Sequence, residues 1–328
     1  MTSLRDSITA TVGDLDPELF ADPTTTTLVE LGAGFISEVT DRYGSPSRPV
    51  WATGKLHSEV FMAYHCAGPD GHTSVGPLGD GVPRAALHLT AAINRQANRE
   101  VLDPLLRAIV FYAACAHDHT QLCGRALLPE GQGSDRGDER LSALEARQRA
   151  DAAGLPADVG VLAQILVMAT AFDPTSRTQN VDYKRTSRAV LAQEVTAAAD
   201  LLSLTSRRGP LSALEMVCES LTTPSYDRIV HRQFAAATAI HEPAWLLDCI
   251  SGDPILTCKF RQGLHAQVEF FLTHRFSDPH IRQACGLGID ELFPGRADNA
   301  DVLAEYITLL NDHTPRELWN VARTNAGY

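Results

Sequence analysis

The sequence predicts an all-α protein, a helical bundle with additional helices toward the C-terminus. Three observations carry this. Leu, Ala, Val and Ile recur at i, i+3 and i+4 along most of the chain. Strand-like alternation is almost absent. Gly- and Pro-rich breaks separate the periodic segments, as turns between helices require.

Taken in order, helical patterns cover 26–42 and 84–98, then 99–116, 140–153, 157–171, 186–205 and 210–221. Further patterns follow at 226–239, 242–250, 260–276, 279–286 and 300–312. Within 99–116 the run from Leu105 to Ala116 is apolar nearly all round, which predicts a helix buried on every side. Three segments read as loops: 66–83, dense in Gly and Pro; 129–138; and 172–185, polar and interrupted by Pro174. The turns Ser206–Pro210 and Thr222–Ser225 are the candidate joints before a C-terminal extension.

Composition narrows the function classes. The chain has 328 residues, 44% of them hydrophobic, enough for one large domain or two modest ones. No stretch is long and apolar enough to span a bilayer, and the polar start Met1–Ser7 has no apolar signal core, so a cytoplasmic location is expected. The seven cysteines form no Cys-x-x-Cys pair and sit in apolar contexts, which reads as reduced core residues. A net charge of −12 and 6% aromatic residues argue against nucleic acid as a partner. There is no phosphate-binding GxxxxGK[ST] loop, no HExxH helix and no GxSxG elbow.

The informative feature is His117-Asp118-His119, which ends the apolar helix. Imidazole and carboxylate groups on a buried wall are costly to desolvate unless something charged, such as a divalent cation, is held there. A metal needs three or four N/O donors meeting at a point, so further ligands must come from elsewhere. Upstream, His88 lies in a helical pattern 29 positions earlier, with His72 and His65 as competitors for the same role. Downstream, Asp200 is a lone carboxylate among small and apolar residues.

The order His88, His117-Asp118, Asp200 resembles the H…HD…D signature of the HD-domain metal-dependent phosphohydrolase superfamily. Ala113–Asp118 resembles the small apolar run before the HD pair, and Asp138–Ala143 the helix start that follows it. Val167–Thr170 resembles an Ile-x-x-Thr segment of several branches, and Ala197–Leu201 the helix carrying the last aspartate. The resemblance covers about residues 60–215. It divides the chain into an N-terminal helical segment (1–55), an HD-like metal-binding domain (56–221) and a helical extension (222–328). The sequence departs from the pattern at Asp173, where some branches have histidine. It departs again after Tyr64-His65, which a Gly/Pro segment separates from His88. No histidine lies between His119 and His231, which favours one metal over two.

The resemblance implies one divalent ion (Mn, Fe, Co, Ni, Zn or Mg) held by His88, His117, Asp118 and Asp200. Its substrate would be a small-molecule phosphate ester, with a nucleotide slightly favoured. Arg125, Arg136 and Arg140, with Lys184 and Arg185, are the candidate phosphate contacts. Asp118 or Glu139 would take a proton from the attacking water, and His65 or His119 would protonate the leaving oxygen. Two other readings stay open: an HD-type iron oxygenase, and a non-catalytic HD-like signalling or scaffold protein. A homo-oligomer is compatible with each.

Overall fold

Helices form nearly all of the regular structure in the computed structural model, which describes residues 3–43, 81–120, 137–173, 175–205, 209–222, 243–293 and 295–327. In order these are α1 (Leu4–Leu15), a 3₁₀ turn (Pro17–Phe20), α2 (Pro23–Tyr43), α3 (Val82–Gln96), α4 (Pro104–Ala116), α5 (Gly137–Ala152) and α6 (Ala157–Thr170). A short hairpin follows, β1 (Phe172–Asp173) and β2 (Thr178–Gln179). Then come α7 (Ser187–Leu202), a 3₁₀ turn (Ser203–Thr205), α8 (Gly209–Thr222), α9 (Pro243–Gly252), α10 (Pro254–Thr273), α11 (Pro279–Cys285), α12 (Ile289–Leu292), α13 (Arg296–Leu309) and α14 (Pro315–Ala326). Among the described residues no helix is long and apolar enough to cross a membrane.

The helical segments predicted from periodicity coincide with these elements to within about six residues at their ends, apart from 226–239, which lies outside the described residues. Most of the expected loops 66–83 and 129–138 also lies outside them, and their last residues open α3 and α5 instead. The 172–185 segment is not wholly irregular. Phe172 pairs with Gln179 and Asp173 with Thr178 in an antiparallel hairpin.

Local chemistry sets the helix ends. Ser3 and Asp6 form a reciprocal capping box on α1, as do Thr314 and Glu317 on α14. Asp103 caps α4 and Asp253 caps α10, each followed by proline at the first helical position. Past the end of α3, Asn98 takes a left-handed φ of 48°, a conformation asparagine tolerates better than most residues.

Two apolar cores result among the described residues. The first joins Ile8 and Val12 of α1, Leu28, Phe35 and Ile36 of α2, Ile93 of α3, Phe111 and Tyr112 of α4, Ala146 of α5, Leu166 of α6 and Val195 of α7. Ile281, Leu292 and Phe293 return to it from the C-terminal part. The second joins Leu214 and Val217 of α8 to Phe260 and Leu264 of α10, Leu303 and Tyr306 of α13 and Trp319 of α14. Core membership therefore crosses the boundaries expected from sequence. The 1–55 segment contributes α1 and α2 to the first core. The apolar face of α8, placed before the joint at 222, packs with the C-terminal helices because its partners lie on α10 and α14. The division falls at the 3₁₀ turn Ser203–Thr205, where Leu204 is the first residue of the second core.

Candidate metal centre

Helix α4 is the axis of the first core, packed by α2, α3, α5, α6 and α7. Its start is pinned by Asn94, whose side chain donates to the Leu102 carbonyl and accepts from the Val101 and Leu102 N–H groups. Arg107, buried one turn in, donates to Asp16 at 2.7 Å, to Glu18 at 2.5 Å and to Glu100 at 3.3 Å. Burial opposes its charge, but Asp16 and Glu18 outweigh burial and raise its pKa. Farther along, the buried Tyr112 hydroxyl donates to the Ala146 carbonyl of α5 at 2.6 Å. So anchored, α4 delivers its C-terminal end in a fixed orientation.

That end carries His117, which keeps helical φ and ψ and is 2% exposed. Its Nδ1 stands 2.8 Å from the Ala114 carbonyl oxygen. A carbonyl only accepts, so Nδ1 carries the proton and Nε2 is turned the other way. Nε2 lies 3.1 Å from Asp118 Oδ2 and 3.3 Å from Asp200 Oδ1. Thus α4 and α7 bring one imidazole and two carboxylates together, three of the four residues expected as ligands. Burial alone would depress the His117 pKa; the charges of Asp118 and Asp200 reverse this and raise it well above the usual imidazole value. Burial raises the Asp200 pKa, with His117 opposing and the Asp118 charge adding to it.

Imidazole nitrogen and carboxylate oxygen are the donor types that first-row divalent ions take. Donors bonded at about 2.0–2.2 Å with tetrahedral or octahedral angles stand roughly 3.0–3.5 Å apart, the spacing seen on both sides of His117 Nε2. The Nδ1–H bond to a backbone carbonyl is the support that metal-ligating histidines characteristically have. The cluster is not a finished cage: among the described residues no group of three or more His, Cys, Asp or Glu side chains is disposed to hold a metal ion. As it stands, the imidazole Nε2 lies between the two carboxylates at ion-pair distance from each.

The other expected residues fall in different places. His88 is exposed on α3, its Nε2 accepting from Arg84 Nε at 3.2 Å, and it is not arranged as a fourth ligand. His119 is 3% exposed, with Nδ1 2.9 Å from Glu145 Oε2 and Nε2 3.0 Å from Glu38 Oε2. Arg149 clamps the same two glutamates and lies over the Phe35 ring, whose edge meets the His119 ring. Burial would raise the Glu145 pKa, but His119 and Arg149 hold it down at about 2. These contacts make His119 a strut joining α4, α2 and α5, a placement unlike that of the proton donor expected from sequence. Glu139 is half-buried and Arg140 exposed on the first turns of α5, near Ser142, whose hydroxyl accepts from the Thr120 N–H.

Lys184 and Arg185 lie elsewhere along the chain from the three clustered side chains. They precede α7, whereas Asp200 sits near its far end. The thirteen helical steps from Ser187 to Asp200, at 1.5 Å each, put the start of α7 about 20 Å from Asp200. Arg185 instead pairs with Asp182 at 3.0 Å. His65, His72, Arg125 and Arg136 lie outside the described residues.

Gln179 was missed. Its buried amide donates to the Ala197 carbonyl at 2.7 Å and approaches Asp200 Oδ2 at 3.4 Å. Its only sequence signal was a position in a polar segment. Glu38, Glu145 and Arg149 were missed because charged residues on long helices ordinarily face solvent. Comparison of the chain with protein-family models, with curated proteins and with solved structures finds no match.

Proposed function

We propose that the protein is a metal-dependent hydrolase of phosphate esters, with a nucleotide-type substrate favoured, working at a centre built on His117, Asp118 and Asp200. One observation carries this reading. The His117 Nδ1–H is bound to the Ala114 carbonyl while Nε2 faces two carboxylates, one from the turn that follows α4 and one from α7. The order of these residues along the chain, and its resemblance to the HD-domain signature, supports the same reading. The fourth donor is His88 after reorientation, or His72 or His65.

A divalent ion bound there would lower the pKa of a coordinated water and draw charge from the phosphorus. The chain's own residues do the rest. His117 and Asp200 fix two ligand directions from helices that share a packed core. Asp118, partly exposed, or Glu139 accepts the water proton. Arg140, with Arg125 and Arg136, offers charge to the phosphate oxygens. His65 is the remaining candidate to protonate the leaving oxygen, since both His119 ring nitrogens face glutamates.

A non-catalytic HD-like role is favoured by one specific observation: His117 pairs directly with both carboxylates, and among the described residues no group of three or more such side chains is disposed to hold a metal ion. A panel of phosphate esters assayed with Mn, Co, Ni and Mg added separately distinguishes the two. Hydrolysis that is lost in both His117→Ala and Asp118→Ala is expected. Metal uptake with no turnover across the panel would favour the non-catalytic role, and undiminished hydrolysis in both variants would end the proposal.

A further inference from the structure

The geometry points to Gln179 as a positioning residue for the Asp200 carboxylate, held in place by a hairpin clasped to the C-terminal helices. The inference rests on the metal-site reading above and deepens it.

Gln179 is 6% exposed, so both N–H groups of its amide need acceptors within the protein. The amide nitrogen donates to the Ala197 carbonyl at 2.7 Å and, more weakly, to Asp200 Oδ2 at 3.4 Å. Asp200 Oδ1 is the oxygen that faces His117 Nε2. The two carboxylate oxygens are thus oriented from opposite sides, by the imidazole and by the amide. A carboxylate free to rotate would have to be ordered at each metal-binding event, and the amide supplies that order in advance.

The amide is itself fixed from a distance. Gln179 pairs with Phe172 across the hairpin, and the Asn180 N–H donates to the Ala171 carbonyl at 2.9 Å. At the tip, Arg177 adopts a left-handed φ of 56°, an uncommon conformation for a residue with a side chain. From there its Nη1 donates to Glu269 at 3.0 Å and to Thr273 Oγ1 at 2.8 Å, near the end of α10. The Arg275 N–H returns a bond of 2.7 Å to the Arg177 carbonyl. At the base, the Phe172 ring stacks on His274 and meets Phe270 edge-on. The hairpin therefore spans from the end of α10 to the one candidate ligand contributed by α7.

The test uses the full chain and Mn²⁺ alone as probe, by titration calorimetry. Gln179→Leu keeps the volume and removes both donors; its Mn²⁺ affinity is expected to fall by about 10-fold or more, the usual range for losing a group that supports a ligand. Arg177→Ala, at the exposed tip, is expected to give a smaller loss without endangering the fold. A Gln179→Leu variant that binds like wild type, while Asp200→Ala does not bind, would overturn the positioning role. Unchanged affinity in Arg177→Ala would overturn the clasp.

A double-mutant cycle pairing Gln179→Leu with Asp200→Asn in metal-free urea denaturation supplies an independent readout. Non-additive midpoints are expected; additive ones refute the coupling. If wild type takes up no Mn²⁺, the metal reading fails by itself, and the cycle still decides whether Gln179 orients Asp200.

Discussion

Replacing Glu194 with glutamine is expected to remove a pH dependence of folding worth about 3 kcal/mol. Glu194 lies on α7 and is 1% exposed. Its Oε2 accepts the His280 N–H of α11 at 3.2 Å, its Oε1 accepts from Tyr183 Oη at 3.3 Å, and His280 Nδ1 stands 3.7 Å away. Burial, with the charge of Asp278 adding to it, outweighs these bonds and lifts the pKa from 4.5 to about 7. The fold thus favours the protonated acid. The stabilisation is complete below pH 4.5 and disappears as pH rises through 7. At 1.36 kcal/mol per pKa unit the difference amounts to about 3 kcal/mol. Glutamine keeps a carbonyl for the His280 N–H and cannot ionise. Urea denaturation of both proteins at pH 4.5, 6, 7 and 8 measures the effect. The stability of wild type relative to Glu194→Gln is expected to fall steadily across that range. Parallel profiles would mean that Glu194 titrates normally and that the burial argument is wrong.

His274 behaves in the opposite sense. Burial among Phe172, Phe270 and Phe276, reinforced by Arg296, lowers its pKa from 6.5 to about 4. The fold favours the neutral ring, so stability present above pH 6.5 is lost as pH falls to 4; His274→Phe should flatten that limb in the same urea series. Arg107→Met removes the cation facing Asp16, Glu18 and Glu100 and is expected to cost about 2–4 kcal/mol, read as a lowered Tm that rises again when Asp16→Asn is added. A Cβ at Gly263 would meet Val217 Cγ1 at 2.6 Å, where α10 packs on α8. Overpacking there costs about 1–3 kcal/mol against a helix-propensity gain of about 1 kcal/mol, so Gly263→Ala should lower Tm and Val217→Ala should restore part of it. An unchanged Tm in Gly263→Ala would show that the two helices separate freely.

The parts of the fold legible in the sequence are those that periodicity reports. The run Leu105–Ala116 reads as a buried helix because, Arg107 apart, it is apolar all round, and every residue from Leu106 to Ala116 is buried. The meeting of His117, Asp118 and Asp200 was legible because rare polar residues stood in apolar helices. The hairpin at 172–179 was not, because strands of two residues are too short to show alternation. Lys184 and Arg185 lie before the start of α7, because nearness in sequence to a helix says nothing about which end of it they occupy. The elevated Glu194 pKa arises when α11 docks on α7, a tertiary event with no local signature. The same holds for His119, whose role depends on Glu38, 81 positions away.

The most direct test of the central claim is metal stoichiometry in the full-length protein, by elemental analysis after purification and calorimetric titration with Mn²⁺. One ion per chain is expected in wild type, with binding lost in His117→Ala, Asp118→Ala and Asp200→Ala taken singly. Wild type that takes up no divalent ion, or variants that bind as well as wild type, would contradict the assignment of these three side chains to a metal centre.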